Sequence, residues 1–292
     1  MSLPVPAFPD FREIELADKE LLENHLKKVP ATTSEFTFAN FFIWRNCDRS
    51  KMTSIYGNLC VAAYPENEPP YFFEPLGSNE PEKTVQACLS RVPRFSRVTQ
   101  EFVKRHFEGK KNFKIEADRD NSDYVYRNEE LIALKGKKFD GKRNRIKRFL
   151  KNNIPIYKKI TSEDVHSCLS LLNKWKKTKG GGVCFGEPIR EALKNYNELE
   201  LKGAAILVKG KIEAFTIGEQ LNSDTAVIYI EVANPDIEGL SQYINQQFCR
   251  NEWSELKYIN REQDLGDAGL RRAKLSYHPA QLIDKYNVTL ID

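Results

Sequence analysis

The apolar pattern of this 292-residue chain gives the same order of secondary structure twice. Periodicity and turn signals predict strand, helix, helix, three strands, helix, strand, helix and strand over residues 11–127, and the same order over residues 154–290. Two copies of one element order about 140 residues apart predict an internal structural duplication, although the residues themselves barely match. We therefore expect an α+β protein of two tandem domains, residues 1–134 and 135–292, each a mixed, mostly antiparallel sheet flanked by helices.

The second copy has the longer strands and the clearer turn signals. Its hairpin runs from Ala204–Val208 to Ile212–Leu221, and a strand at Ala226–Ala233 follows. A helix at Leu240–Trp253 comes next. Gly180-Gly181-Gly182 is interpreted as a connecting loop, with a mobile lid as the alternative. We expect the active cleft in this copy.

Residues 135–151 concentrate the positive charge of the chain. They carry nine Lys and Arg side chains against Asp140, a net charge of +8, whereas the whole chain carries +4. The basic character is therefore local. The spacing predicts a helix capped by Asp140, with one packed face and one cationic face. The predicted packed positions are Phe139, Ile146, Phe149 and Leu150, and the cationic ones are Arg143, Lys147 and Lys151.

This basic stretch predicts a polyanion or a ligand with several phosphate groups as its partner. Like charges four residues apart on a helix repel each other, and a purely structural helix would gain from interleaved glutamates. A solvated surface helix is the alternative interpretation. The residues expected to contact phosphates are Lys137, Lys138, Lys142, Arg143 and Arg148.

Composition narrows the class of protein. Hydrophobic residues make up 40% of the chain and charged residues 29%, as in soluble globular proteins. No apolar run approaches 18 residues, and the first residues lack the basic start and apolar centre of a signal peptide, so we expect a cytoplasmic protein without a transmembrane segment. The six cysteines form no C-x-x-C pair and the four histidines are isolated, which predicts reduced thiols and no metal site.

Three segments resemble a known family. They are Ser34-Glu35-Phe36-Thr37-Phe38-Ala39-Asn40 with Trp44, the basic stretch from Leu134 to Phe149 with Tyr124 and Tyr126 before it, and Asn260-Arg261-Glu262 through Asp264-Leu265-Gly266 and Gly269-Leu270-Arg271 to Ser276-Tyr277 and Pro279. Together they are similar to the bacterial proteins grouped with the C-terminal domain of phosphatidylglycerol lysyltransferase. The element order is also that of the GNAT fold, and a tandem pair resembles the Fem-type aminoacyl transferases.

The resemblance implies two tandem GNAT-like domains that transfer an acyl or aminoacyl group to an amine or hydroxyl acceptor. The lysyltransferase moves an amino acid from its tRNA to a lipid head group, so aminoacyl-tRNA is the implied donor and tRNA the implied partner of the basic stretch. The acceptor is left open between a small molecule and a lipid head group. The lysyltransferase also has a large membrane-embedded part that is absent from this sequence.

Acyl-CoA is the alternative donor. In CoA-dependent GNAT enzymes the turn after the fourth strand reads [QR]-x-x-G-x-[GA] and binds the pyrophosphate at a helix N-terminus. The equivalent turn here keeps the central glycine, Gly239, but carries Asp236 and Glu238. Two carboxylates beside that helix N-terminus would repel a pyrophosphate, which disfavours CoA.

Acyl transfer needs a group that accepts a proton and donors that stabilise an oxyanion. Glu231 lies in the apolar strand Ile228–Val232, where an unpaired carboxylate would be costly, so it is the candidate base, with a Lys-paired glutamate as the alternative. Tyr277 is the candidate acid by resemblance. Asp264 is the third candidate catalytic residue, with a helix cap as its alternative role.

Further ligand-binding residues are predicted around the same strand ends. Asn260 and Arg261 end a strand at the start of a helix, where ligand groups commonly converge, and Arg271 and Lys274 lie one turn apart on that helix. Two other functions remain open. A CoA-dependent N-acyltransferase would bind CoA, and a non-catalytic RNA-binding protein would need the basic helix but not Glu231.

Overall fold

The computed structural model describes residues 4–29, 31–179, 184 and 186–291. The predicted loop Gly180-Gly181-Gly182 lies outside these residues. The chain forms two compact units, and each contains one seven-stranded sheet. The first unit consists of residues 1–123, 263–266 and 283–292, and the second of residues 124–262 and 267–282. The units are interleaved in sequence, since each takes residues from beyond the expected boundary at 134 and 135.

The first unit surrounds a mixed sheet. Its strands are β1 (Arg12–Glu13), β2 (Lys51–Ile55), β3 (Asn58–Ala63), β4 (Tyr71–Phe72), β5 (Arg94–Val98) and β6 (Phe113–Ala117), and its helices are α1 (Lys19–Leu26), α2 (Phe38–Asp48), α3 (Pro81–Arg91) and α4 (Gln100–His106). The last strand of the chain, Tyr286–Leu290, lies between β5 and β6. Thr37 and Thr99 cap α2 and α4, since each hydroxyl accepts a backbone N–H of the first turn.

The second unit has the same architecture. Its strands are β7 (Asp123–Arg127), β8 (Ile156–Lys159), β9 (Lys202–Val208), β10 (Lys211–Gln220), β11 (Thr225–Ala233), β12 (Tyr258–Asn260) and β13 (Gln281–Ile283); its helices are α5 (Asn128–Ala133), α6 (Asp140–Asn152), α7 (Val165–Lys179), α8 (Glu187–Lys194), α9 (Leu240–Glu252) and α10 (Ala268–Leu275). The strand order is β13-β7-β12-β11-β10-β9-β8. The strand of the first unit at Tyr286–Leu290 is β14.

The two copies exchange their last strands. The strand predicted at Tyr124–Arg127 to end the first copy is β7, which pairs with β12 in the second sheet. The strand that ends the second copy, β14, pairs with β5 and β6 in the first sheet. The predicted element order is thus present along the chain, but each sheet is completed by a strand from the other copy. Sequence patterns predicted neither the exchange nor the added elements β6, α5 and β13.

The basic helix α6 differs from its prediction at two positions. Asp140 is the first helical residue and makes no capping hydrogen bond; its carboxylate instead pairs with Arg143. Phe139, Ile146 and Phe149 are buried as predicted, whereas Leu150 is exposed. The packed face of α6 is therefore narrower than the sequence suggested, and Arg145, Lys147, Arg148 and Lys151 are exposed.

A buried lysine joins three distant segments of the first unit. The fully buried ammonium group of Lys285 lies 2.7 Å from a carboxylate oxygen of Asp123 and 2.7 Å from one of Glu35. Ser34 donates its backbone N–H and its hydroxyl to Asp123 at 2.7 and 3.0 Å. Burial alone would lower the pKa of Lys285, but the two carboxylates raise it above its ordinary value.

Replacing Lys285 by methionine should lower the free energy of unfolding by about 3–5 kcal/mol, because two buried carboxylates would lose the ammonium group that they bind. Lys114→Met removes an exposed lysine from the ion pair with Glu116 and is the matched control, with an expected loss below about 1 kcal/mol. Urea unfolding of both variants measures the difference. Equal losses in the two variants would contradict the structural role of Lys285.

Candidate active site

Two parallel strands of the second unit separate after a short pairing. Strands β11 and β12 pair over three positions, from Thr225↔Tyr258 to Val227↔Asn260. Beyond them β12 ends, while β11 continues to Ala233 and remains paired with β10. One edge of β11 is thereby left without a neighbouring strand, and polar side chains from both strand ends meet there.

Glu231 and Arg261 form an ion pair at this opening. Nη2 of Arg261 lies 3.2 Å from both carboxylate oxygens of Glu231, and the amide of Asn245 on α9 donates to the same carboxylate at 3.1 Å. The two charged side chains are 18% and 13% exposed. Burying an unpaired carboxylate in an apolar strand would be energetically costly, and Glu231 is in fact paired with an arginine. The second terminal nitrogen of Arg261, Nη1, is buried without a hydrogen-bond partner among the described residues.

Tyr277 and Lys142 complete the cluster. The guanidinium of Arg261 lies 4.8 Å from the ring centre of Tyr277, and the ammonium nitrogen of Lys142 lies 3.9 Å from it. Lys142 also donates to the hydroxyl of Ser276 at 2.6 Å. Burial and the neighbouring charges of Arg261 and Arg145 lower the pKa of Lys142 to about 8. Burial raises the pKa of Tyr277, so its hydroxyl keeps its proton at neutral pH.

We call Lys142, Glu231, Arg261 and Tyr277 the central cluster. A lysine with a lowered pKa is partly neutral near pH 8 and can accept a proton. The unpartnered N–H groups of a buried arginine can stabilise a developing oxyanion. The protonated tyrosine can supply a proton to a leaving group. These are the three roles that acyl transfer requires.

Other predicted site residues shape the segment that follows β12. The side-chain oxygen of Asn260 accepts the backbone N–H of Glu262 at 2.8 Å. Lys274 is buried, and its ammonium group donates to the carbonyl oxygens of Arg261 and Glu262. The charge of Lys274 is therefore used inside the fold, and the predicted phosphate-binding pair with Arg271 is not assembled.

Asp264 belongs to the first unit, whereas the residues of the central cluster belong to the second. It is fully buried and accepts hydrogen bonds from Arg119 at 3.2 Å and from the backbone N–H of Gly266 at 2.9 Å. It does not cap α10. The cap is Asp267, whose carboxylate accepts the backbone N–H of Leu270. These contacts give Asp264 a structural role in the turn at Gly266.

Most of the predicted phosphate contacts of the basic stretch have protein partners. Lys138 pairs with Glu130 at 2.8 Å, and Arg148 pairs with Glu238 at 3.2 Å. Arg143 donates to Asp140 and to two backbone carbonyl oxygens. Lys142 belongs to the central cluster. The exposed cations of this stretch that make no ion pair with described residues are Lys135, Lys137, Arg145, Lys147 and Lys151.

The turn that precedes α9 lies against the backbone of α6. Gly239 has a φ of +84°, and a side-chain carbon added there would lie 2.2 Å from the carbonyl oxygen of Arg145 and 3.0 Å from Cβ of Phe149. Glycine is therefore required both by conformation and by space. Helix α6 occupies the side of this turn where Gly239 would otherwise offer room for a ligand.

Sequence reasoning missed three neighbours of the central cluster. Tyr126 and Ser276 were recognised as motif residues without a role at the site, and Asn245 was not recognised at all. Asn245 donates to Glu231, Lys142 donates to Ser276, and the ring of Tyr126 lies 5.7 Å from the guanidinium of Arg261. The available signal for Asn245 was a polar residue at an apolar position of α9, where it is buried.

Comparison with known proteins identifies what the chain is similar to. The model of the family described as "Phosphatidylglycerol lysyltransferase, C-terminal" matches residues 26–289. An uncharacterised protein of Mycoplasmoides gallisepticum is 25% identical over 178 residues, which cover 59% of this chain. The chain spans 57% of the length of that curated relative.

Solved structures share the fold. A conserved protein of unknown function from Bacteroides thetaiotaomicron is 29% identical, with a TM-score of 0.87 over 96% of this chain and 99% of that one. The C-terminal domain of an Agrobacterium fabrum protein assigned as a lysylphosphatidylglycerol synthetase is 15% identical, with a TM-score of 0.65 over 95% and 93%. FemX is 8% identical, with a TM-score of 0.56 over 97% of both chains. The predicted fold of two tandem GNAT-like domains is confirmed, and FemX shares this fold.

Substitution of Gly239 by alanine should destabilise the second unit by about 2–4 kcal/mol, since a positive φ and a backbone clash act together. Gly210→Ala is the matched control: its φ is +75°, but an added carbon meets no atom within 4 Å. The control should lose only about 1 kcal/mol. Thermal unfolding separates the two variants, and similar losses would show that α6 does not pack on this turn.

Proposed function

Because the chain belongs to the family of the phosphatidylglycerol lysyltransferase C-terminal domain, we propose that it transfers an aminoacyl group to an amine or hydroxyl acceptor and that the central cluster is its reacting centre. Family and fold both suggest an aminoacyl or acyl transferase. The observation that carries the assignment of the site is the unpartnered Nη1 of Arg261 beside a lysine of lowered pKa.

The reaction can be written with this chain's own groups. The lone pair of the acceptor attacks the carbonyl carbon of the aminoacyl ester, and Lys142 takes the proton that the acceptor loses. The oxyanion forms at Nη1 of Arg261, whose position is fixed by Glu231. When the ester C–O bond breaks, the leaving oxygen takes a proton from Tyr277 or from the protonated Lys142. Asn245 positions Glu231 and does not take part in the chemistry.

Aminoacyl-tRNA fits the surroundings of the cluster better than acyl-CoA does. Lys142 is one turn into α6, and Arg145, Lys147 and Lys151 extend along the same helix with exposed side chains that can meet phosphates. The turn at Gly239, where CoA-dependent relatives hold a pyrophosphate, is occupied by α6 and carries Asp236 and Glu238. Lack of space acts against CoA there, whereas the two carboxylates are paired with Lys174 and Arg148.

We propose the acceptor only by its chemical class, which is an amine or a hydroxyl group. The name of the family points to the hydroxyl of a phosphatidylglycerol head group, and a soluble amine is the other source of the same nucleophile. None of the helices in the described part of the chain is long and apolar enough to cross a membrane. A lipid acceptor would therefore be reached from the membrane surface by these units.

Transfer is tested with total bacterial tRNA charged with radiolabelled amino acids, offered with phosphatidylglycerol vesicles or with soluble amines. We expect label to leave the tRNA and to appear in an acceptor. Lys142→Met should reduce the rate about 100-fold or more, the usual worth of a general base. Lys211→Met, an exposed lysine at the start of β10, is the matched control and should keep full activity. Binding of tRNA without any transfer would favour a non-catalytic RNA-binding protein instead.

The pH dependence of transfer should follow Lys142. Its lowered pKa of about 8 means that the neutral, proton-accepting form grows as pH rises from 7 to 9, so the rate should rise through this range and then level. The residual rate of Lys142→Met should lack this rise. A rate in the unchanged protein that is flat between pH 7 and 9 would exclude Lys142 as the base.

Charge reversal of Lys147 and Lys151 to glutamate should weaken tRNA binding without changing the rate at saturating tRNA, because these side chains lie outside the central cluster. Two lost phosphate contacts should also make the log–log slope of affinity against salt shallower by about 2. Filter binding at several salt concentrations measures the slope. An unchanged slope would place the tRNA elsewhere.

A further inference from the structure

The first unit contains a cavity of about 440 Å³, which is within the size range of small-molecule sites. All of its lining residues belong to this unit, so its ligand does not depend on the reaction proposed for the second unit. Phe36, Val85 and Phe102 form apolar walls. Glu74 places a carboxyl group in the lining.

The cavity opens where two parallel strands separate. Strands β4 and β5 share a single register pair, Phe72↔Phe95, and then part. Glu74 follows the end of β4 and Thr99 follows the end of β5. This is the position, in the first copy of the duplication, that the central cluster has between β11 and β12 in the second. The duplication therefore supplies a second place at which polar groups from two strand ends converge.

The polar wall of the cavity is rigid and already hydrogen-bonded. The amide nitrogen of Asn58 donates to the carbonyl oxygen of Asn79 at 2.6 Å and to the hydroxyl of Thr84 at 2.8 Å, and its oxygen accepts the N–H of Asn79 at 3.0 Å. A side chain at Gly77 would lie 2.4 Å from that oxygen. These hydrogen bonds hold the shape of this wall and use both N–H groups of the Asn58 amide.

Glu74 is the exception among the lining groups. Its carboxyl accepts the backbone N–H of Thr99 at 2.5 Å, and it makes no ion pair among the described residues. Burial raises its pKa to about 7, with Thr99 and Arg105 acting the other way and Glu101 acting with burial. Both Glu101 and Arg105 are exposed on α4 and lie at the mouth. They are opposite in charge, so the acid within the cavity has no fixed counter-charge.

The remaining ionisable group of the lining does not supply that counter-charge. His106 bonds through Nδ1 to Glu82 at 3.1 Å. Burial lowers the pKa of His106, so its ring is neutral at pH 7 and above. A cation brought by a ligand would be the partner that Glu74 lacks, and the aromatic and aliphatic walls require that this cation belong to an organic molecule.

We infer that this cavity is a second ligand site, which binds a small organic amine with its ammonium group on Glu74 and its apolar body against Phe36, Val85 and Phe102. The carboxylate recognises the positive head group, and the apolar walls exclude inorganic cations, which would lose their hydration without replacement. Anions and neutral molecules of the same shape lack the partner for Glu74.

Binding is tested on the full chain at pH 7.5 by calorimetry with three probes of one shape: 3-methylbutylamine, 3-methylbutanol and 3-methylbutanoate. We expect the amine to bind in roughly the millimolar range of such small ligands, and at least ten times more tightly than the alcohol or the acid. Glu74→Gln should lose this preference. Glu108→Gln, an exposed glutamate after α4, is the matched control and should keep it.

Three results would overturn the inference. They are equal affinity for amine and alcohol, preferred binding of the carboxylate, which would make Arg105 the recognising group, and undiminished amine binding by Glu74→Gln. Proton release gives a further check: at pH 6.5 amine binding should release a proton, measured in buffers of different ionisation enthalpy, because the ligand favours the ionised form of Glu74.

The pH dependence of the stability of the unliganded protein gives an independent test of the burial of Glu74. Its pKa is about 7 in the folded chain and near 4.5 when unfolded, so the folded state holds the extra proton between these values. The contribution of Glu74 to stability is therefore full below pH 4.5 and is lost as pH rises through 7. Thermal midpoints of Glu74→Gln measured from pH 5 to 8 should lack this loss. Parallel curves for the variant and the unchanged protein would show that Glu74 is not buried in the cavity.

Discussion

In each sheet a parallel pairing of two strands stops after one to three residue pairs, and polar groups of that copy collect where the pairing stops. In an antiparallel hairpin, the facing backbone N–H and C=O groups of the two strands bond to each other. Where two parallel strands diverge, these backbone groups and nearby polar side chains need other hydrogen-bond partners. In the second unit the groups that lie where the strands separate are Glu231 and Arg261. In the first unit they are Glu74 and Thr99.

The buried charged side chains of the two units differ in how many oppositely charged partners they have. We relate this difference to whether a side chain stabilises the fold or is proposed to bind a ligand. Lys285 has two carboxylates within 2.7 Å and joins distant segments of the chain. Arg261 pairs with one carboxylate, and its Nη1 has no hydrogen-bond partner in the described part of the chain. The carboxyl of Glu74 accepts a hydrogen bond from Thr99 and makes no ion pair with a described residue. A fully paired buried charge stabilises a fold, whereas an incompletely paired one is available to a ligand.

Local sequence patterns predicted much of the fold. The duplicated element order and the position of Glu231 in an apolar strand could be predicted, because both depend on the periodicity of neighbouring residues. The family and the tandem GNAT-like fold are confirmed by comparison. The exchange of β7 and β14 between sheets could not be predicted, because pairing between strands more than about 130 residues apart leaves no local signal in the sequence.

The roles of the basic residues were hard to predict for a related reason. Sequence gives the sum of charges on α6 but not their partners, so Arg143 looked equivalent to Lys147 although it braces the turn before the helix. Lys142 was grouped with the surface cations, yet a packed tyrosine and a neighbouring arginine set its environment. Asn245 was missed because a single asparagine within a helix belongs to no recognisable sequence motif. Each of these roles depends on contacts between residues far apart in the chain.

In the proposed mechanism, Nη1 of Arg261 receives the carbonyl oxygen of an aminoacyl group. The most direct measurement is a calorimetric titration of the protein and of Arg261→Lys with an amide-linked analogue of 3′-aminoacyl-adenosine, with CoA titrated in parallel. Lysine keeps a charge for Glu231 but removes the second terminal nitrogen. The account predicts binding of the analogue, a loss of about tenfold in the variant, and no binding of CoA. Equal affinity in the two proteins, or tight binding of CoA, would contradict it.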